Sequence, residues 1–222
     1  AGLAPRHPLA RASWALELAL ARCVERHACV STAMSQWLSR RFGIHAPAAP
    51  DRPPAAVFGA GPPSPADRHA LLQHLGLVPA ELGLGGAGDG GDGATIQTAP
   101  RPDARGAPCV VPLLERKAFL VVSSTSWTPD EDFGLLLDAV VELDARLAAA
   151  AAAGAAGPLR AVFVVTGKGP LRAAYEERMA RLPLRRCALR TLWLEPGDYP
   201  RLMRCADLGV CLHTSTSKLD LP

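Results

Sequence analysis

The chain has no run approaching the ~20 consecutive apolar residues that a spanning helix requires, and residues 1 to 30 lack the basic, apolar and cleavage regions of a secretory signal. Charge of one sign is scarce: 24 Lys and Arg against 21 Asp and Glu leave a net +3, too little for a nucleic-acid footprint, so no nucleic-acid partner is expected. The six cysteines (Cys23, Cys29, Cys109, Cys187, Cys205, Cys211) contain no C-x-x-C pair. That pattern indicates neither a zinc site nor a disulfide framework, and the residues read as reduced thiols, several of them buried, in a cytosol-facing protein. Aromatics are only 5% of the chain, and Trp14, Trp37, Trp127 and Trp193 are expected in the core. What is present in quantity is apolar side chain, at 49%, enough for a buried core.

Apolar spacing over residues 14 to 41 predicts helix, interrupted near Cys29-Val30-Ser31 by a short strand, with Ser31 or Thr32 capping a second helix that ends at Gly43. Frequent prolines from Pro47 to Pro65 predict an extended connection. Helical spacing returns at Ala66 to Leu77, where Asp67, Arg68 and His69 read as a solvated helix start. Residues 83 to 112 are dominated by Gly, Pro, Ala and Asp, which predicts a flexible surface insertion without a packed core, disordered over 83 to 108.

From Lys117 the pattern alternates between strand and helix, the signature of a parallel α/β sheet. Residues 118 to 123, 161 to 165, 189 to 194 and 208 to 212 read as strands. Helices are expected after Thr128, over 171 to 182 and over 198 to 205. Thr128 is the expected N-cap of the first of these, with Pro129 at N1 and Glu131 closing a capping box. Its apolar face comprises Phe133, Leu136, Leu137, Val140, Val141 and Leu147, and the run Ala148 to Ala153 extends it until Gly154.

Three segments at strand ends carry candidate chemistry. Ser123-Ser-Thr-Ser-Trp127 follows the first strand, and its hydroxyls at Ser124, Thr125 and Ser126 can donate to phosphate oxygens beside a helix N-terminus. Against that, Asp130, Glu131 and Asp132 would repel a diphosphate there, and from the residues alone plain helix capping is the favoured reading. Thr166-Gly-Lys-Gly-Pro170 follows the second strand. Its glycines, Gly167 and Gly169, let backbone approach a ligand closely, and Lys168 supplies a mobile cation, although the segment is also an ordinary turn. His213-Thr-Ser-Thr-Ser217 follows the fourth strand, where His213, Thr214 and Ser215 can contact a sugar or phosphate. No residue is assigned as general base, and no metal site is expected; the spacing of Cys205 and Cys211 argues against a shared metal.

Taken in order, Val121-Val-Ser-Ser-Thr-Ser-Trp-Thr-Pro-Asp-Glu-Asp-Phe133, Val165-Thr-Gly-Lys-Gly-Pro-Leu171, Trp193-Leu-Glu195, Asp198-Tyr-Pro200 and Ala206-Asp-Leu-Gly-Val-Cys-Leu-His-Thr-Ser215 resemble the chitobiosyldiphosphodolichol β-mannosyltransferases. The resemblance is strong over 117 to 222 and weaker over 7 to 74. It implies a GT-B type α/β glycosyltransferase: a partial N-terminal acceptor-side domain over 1–82, an insertion over 83–112 and a partial Rossmann-like donor-binding domain over 113–222, incomplete at both ends.

The implied reaction transfers mannose from GDP-mannose to dolichol-linked diphosphochitobiose, inverting the anomeric centre to a β-1,4 linkage. It takes place at the cytosolic face of the endoplasmic reticulum, with membrane association of the full-length protein. No cofactor is implied, since GDP-mannose is a substrate. Ser124 to Ser126, Thr166 to Gly169 and His213 to Ser215 would surround the donor. Lys218 stands where the family usually has glycine. Two other readings remain open: another GT-B transferase with a different sugar nucleotide, and a non-catalytic fragment that binds a partner subunit.

Overall fold

The computed structural model describes residues 7–59, 61–84, 91, 93–113, 118–129, 131–155 and 160–212. The chain divides into two compact units, with the break after Arg52.

In the first unit, α1 (Pro8–Ala21) is capped by His7, whose Nδ1 accepts the Leu9 N–H at 3.2 Å. The second helix, α2 (Thr32–Phe42), starts where Ser31 Oγ accepts the Met34 N–H at 3.1 Å. It ends on Gly43 at φ 68°, a left-handed cap that glycine adopts without steric penalty. Both ends fall where the cap residues predict. Cys29 forms a single parallel bridge to Ala48, the remnant of the short strand expected there. Trp14, Trp37 and Phe42 stack with ring centroids 5.0–6.1 Å apart, yet Trp14 is half exposed, contrary to its expected core position. A cluster at the surface of a small unit has too few neighbours to enclose it.

The second unit begins with α3 (Ala55–Phe58), one helical turn inside the proline-rich connection that was expected to be extended throughout. Pro54 precedes that turn, where its missing N–H is no loss. Next comes α4 (Pro65–His74), capped by Ser64 Oγ on the Asp67 N–H at 3.1 Å. The expected coreless insertion contains a hairpin, β1 (Thr98–Pro102) and β2 (Pro108–Pro112), paired antiparallel from Thr98↔Pro112 to Pro102↔Pro108. Prolines are tolerated because each strand has a single partner and can leave its N–H side unpaired. At the turn, Asp103 Oδ1 accepts the N–H groups of Arg105 and Ala107, both at 2.8 Å.

Leading into the hairpin, Thr95, Ile96, Gln97 and the first β1 residue, Thr98, are all buried, which corrects the expectation of disorder over 83 to 108 for these residues; residues 85–90 and 92 lie outside the described set. The buried side-chain polar groups of this stretch have partners, which offset the cost of burying them. Arg68 Nη1 donates to Gln97 Oε1 at 2.7 Å, Gln97 Nε2 donates to Asp207 Oδ2 at 2.8 Å, and His69 Nδ1 lies 3.0 Å from Thr98 Oγ1. Arg68 and His69 are thus half-buried ties to the insertion rather than a solvated helix start. Composition alone hides this, because the ties join residues 29 apart.

The remaining elements build the sheet: β3 (Ala118–Ser124), α5 (Phe133–Ala152), β4 (Arg160–Thr166), α6 (Arg172–Ala180), β5 (Cys187–Leu192), α7 (Asp198–Cys205) and β6 (Leu208–Val210). The four strands are parallel in the order β5-β4-β3-β6, the Rossmann-like α/β arrangement that the alternation predicts. Strand residues face alternate sides. Leu120, Val122, Val162 and Val164 pack with Leu71, Leu72, Leu77, Ile96 and Leu202. Val121, Phe163 and Val165 pack on the other face with Trp127, Phe133, Leu136 and Val140. Covering both faces is what makes these strands continuous apolar runs. Val141 is 39% exposed and leaves the expected apolar face of α5, which is already filled by Leu137 and Val140. Among the described residues, no helix is long and apolar enough to cross a membrane.

One buried carboxylate ties α5 to the sheet. Asp144 Oδ1 accepts the N–H groups of Arg185 at 2.9 Å and of Arg186 and Cys187 at 2.7 Å. Burial opposes its charge, but those three donors, with the Arg185 charge behind them, hold its carboxyl below the usual aspartate range. Burial and the neighbouring Asp144 charge push the Cys187 thiol up to about 12. Asp144→Ala leaves three buried donors without an acceptor and should lower unfolding free energy by about 3 kcal/mol in urea titrations. Because the folded-state pKa is depressed, the contribution is fully present above about pH 4 and is lost as pH falls through the folded-state value. Stability of the Asp144→Ala chain should therefore fall less steeply with acid than that of the parent.

Candidate active site at the carboxyl edge of the sheet

β3 and β4 end in register, Ser124 beside Thr166, and the Thr125 N–H continues the ladder onto the Thr166 carbonyl at 2.9 Å. Beyond this point the two strands become loops that fit backbone on backbone. A Cβ on Gly167, whose φ is +133°, would lie 1.7 Å from the Thr125 carbonyl oxygen; one on Gly169 would lie 1.8 Å from that of Ser126. The glycines expected to admit a ligand therefore admit the neighbouring loop. Trp127 locks the pair. Its indole N–H donates to the Gly167 carbonyl at 3.3 Å, and its own carbonyl accepts the Leu171 N–H at 3.0 Å. The ring is 1% exposed, packed on Phe133 and Tyr175 at centroid distances of 4.7 and 5.8 Å. That burial offsets the roughly 1–2 kcal/mol that a left-handed backbone, here φ 49°, costs a residue bearing Cβ.

Glu131 shapes the first loop from within. Only 3% exposed, it accepts from the hydroxyl of Thr125 and, at 3.2 Å, from that of Ser126, with the Ser126 N–H at 3.4 Å. The expected capping box does not form: α5 begins at Phe133 behind Asp132, which makes no side-chain cap bond, and Thr128 uses its carbonyl, which accepts the Glu131 N–H at 3.1 Å. The loop hydroxyls out-compete the helix end for this carboxylate. Asp132 is exposed, and Asp130 lies outside the described residues.

The sequence candidates thus separate by exposure. Thr125 and Thr166 are buried and serve the scaffold, and Gly167 and Gly169 serve the loop contact. Ser124, Ser126 and Lys168 are exposed at the edge. Ser124 Oγ lies 2.9 Å from the Tyr199 hydroxyl and accepts from Thr166 Oγ1 at 3.4 Å. Lys168 Nζ sits 3.8 Å above the ring of Trp193, which is 57% exposed just after β5. The expectation of a core Trp193 fails because it follows the last residue of an edge strand. His213, Thr214 and Ser215 lie outside the described residues. Sequence reasoning missed Trp193, Tyr199 and Glu131 as parts of this edge. For Trp193 a signal existed, since a residue directly after a parallel strand stands at the ligand-binding edge.

Chemically, the edge offers two hydroxyls, a phenol and one cation resting on an aromatic ring. An exposed cation–π contact is worth about 0.5–1 kcal/mol, so Lys168 can leave Trp193 for a stronger anionic partner at little expense. Gly167→Ala should destabilise the unit by about 3 kcal/mol in chemical denaturation, through both the backbone clash and the positive φ. Gly209→Ala, where a Cβ meets nothing within 4 Å, should change stability by less than about 0.5 kcal/mol.

No family model matches the chain. Among curated proteins, it is 38% identical over 219 residues to a chitobiosyldiphosphodolichol beta-mannosyltransferase of Pongo abelii, covering 98% of this chain and 45% of that protein. The Homo sapiens protein of the same name is 37% identical over 224 residues, again covering 98% of this chain and 45% of the relative. A UDP-glycosyltransferase, TURAN, of Arabidopsis thaliana is 50% identical over 120 residues, which is 50% of this chain and 26% of that protein. The chain spans a little under half the length of the mannosyltransferases it matches.

Proposed function

We propose that this chain, similar over nearly its whole length to chitobiosyldiphosphodolichol beta-mannosyltransferases, belongs to their family, and that the carboxyl edge of its parallel sheet is the donor seat of an inverting mannosyltransferase. The donor is GDP-mannose and the acceptor dolichol-linked diphosphochitobiose, joined through a β-1,4 linkage. The observation that carries the reading is the combination of exposed Ser124 and Ser126 hydroxyls with the displaceable Lys168 cation at one strand edge. In open α/β sheets, ligands bind at that edge.

In this reading the acceptor hydroxyl attacks the anomeric carbon, the bond from that carbon to the GDP oxygen breaks, and negative charge grows on the departing diphosphate. Lys168 moves from Trp193 to meet that charge, while Ser124 and Ser126 donate to phosphate oxygens. Thr125, Thr166, Gly167 and Gly169 hold the two loops in position, and His213, Thr214 and Ser215, which lie outside the described residues, are proposed as further donor contacts on the family resemblance alone. The acceptor hydroxyl's proton goes to a general base that this reading leaves unassigned. GDP-mannose is a substrate, and the reading invokes no cofactor. The work is carried out at the cytosolic face of the endoplasmic reticulum membrane, where the lipid-linked acceptor resides.

A second donor is favoured by one observation: the relative that is 50% identical over half of this chain is named for UDP. Calorimetric titration of the chain with GDP and with UDP separates the two readings. Selective GDP binding, weakened about tenfold by Lys168→Met through loss of one charge-assisted hydrogen bond, is the expected result. Preference for UDP would replace the donor. Binding of neither would contradict a preformed seat at this edge.

A further inference from the structure

β5 is an edge strand, and the alternation of its side chains continues past its last residue. Leu192 and Leu194 pack with Leu202 on one face, whereas Leu189 packs with Tyr175 and Met179 of α6 on the other. Thr191 shares that second face: Arg172, which opens α6, donates to Thr191 Oγ1 at 3.3 Å and to Glu176 Oε1 at 2.8 Å. By the same alternation Trp193 and Glu195 stand on the α6 side, both exposed, with the buried Leu194 between them. The indole carries the Lys168 cation. The Glu195 carboxylate forms no hydrogen bond or ion pair among the described residues. Its backbone is nevertheless fixed, because the Glu195 carbonyl accepts the N–H groups of Asp198 at 3.0 Å and Tyr199 at 3.3 Å, and the Tyr199 hydroxyl reaches Ser124.

Structural roles account for these parts only one at a time. The ring gives Lys168 a resting place, and a carboxylate just before α7 suits the helix dipole, which Asp198 in the first turn already serves. Neither role uses the two side chains together. An exposed ring beside an acceptor-only carboxylate has the chemistry of a purine site: bases stack on aromatic faces, and a carboxylate takes two donors at once. Guanine presents N1–H and N2–H side by side on its Watson–Crick edge, matching both carboxylate oxygens. Uracil presents a single N–H between two carbonyl oxygens, which a carboxylate repels. Two strand spacings, about 10 Å, separate β3 from β5. A ribose bridges that interval between a base over Trp193 and phosphates at Ser124 and Ser126. As Lys168 moves to the diphosphate, the ring face it covered is opened to the base.

We propose that Trp193 and Glu195 form the nucleobase site of the donor seat, with Trp193 stacking on the base and Glu195 selecting guanine. The inference rests on the donor reading above and goes beyond it by assigning the choice between GDP and UDP to one carboxylate.

Calorimetric titration of the full chain with GDP and with UDP, repeated on Glu195→Gln and Trp193→Leu, tests it. Glu195→Gln should weaken GDP about tenfold and leave UDP within about twofold of the parent, so that the preference for GDP collapses. Trp193→Leu should weaken both nucleotides about tenfold, since every base offers a face for stacking. A readout free of substitutions is an intermolecular NOE between the Trp193 indole ring and guanine H8 in the parent with GDP bound. GDP binding that neither substitution changes, an equal loss of GDP and UDP in Glu195→Gln, or bound GDP without that NOE overturns the base site and leaves the donor seat standing. A parent that prefers UDP overturns the guanine assignment, and a parent that binds neither nucleotide removes seat and base site together.

Discussion

The fit of one loop backbone into another governs this molecule's carboxyl edge. Gly167 and Gly169 bring the loop after β4 against the Thr125 and Ser126 carbonyls, at a separation that no Cβ could share. The two loops at that edge are positioned by this contact. It sets where Ser126 stands, where Lys168 emerges, and how Trp127 reaches the Gly167 carbonyl with its indole. The parallel register of β3 and β4 brings the loops level, and Glu131 fills the first of them with hydrogen bonds. The contact is therefore a joint consequence of sheet topology, two absent side chains and one buried carboxylate.

Much of this architecture is legible in the sequence, for identifiable reasons. Strands covered on both faces must be uniformly apolar, so 118–123 and 161–165 announce themselves. The helix capped at Ser31 follows from local sequence, and the helical stretches at 65–74 and 133–152 follow from their spacing, although the cap read at Thr128 does not form. What resists reading depends on distant partners. The 94–112 segment looks coreless because its Thr and Gln side chains gain their burial from Arg68, His69 and Asp207, far away in the chain. Glu131 reads as a capping residue until the loop hydroxyls beside it are in three dimensions.

The residues of the candidate edge divide along the same line. The exposed position of Ser124, Ser126 and Lys168 is legible because strand-to-helix loops in an alternating pattern gather at one edge. Thr125 carries the same hydroxyl but turns inward onto the Glu131 carboxylate, while Thr166, paired with Ser124 on the same face of the sheet, is buried and donates its hydroxyl to Ser124 Oγ. Trp193 reads as core by residue type and stands in solvent by position. Tyr199 comes to Ser124 from α7, 75 residues along the chain, with no local signal.

Amide chemical-shift mapping of the labelled chain with GDP-mannose tests whether the interlocked loops present a donor seat. The largest perturbations should fall on Ser124 to Trp127 and Gly167 to Gly169, together with the Trp193 indole N–H as Lys168 leaves its ring. Perturbations that leave both loops and Trp193 unmoved while GDP-mannose binds elsewhere would contradict it.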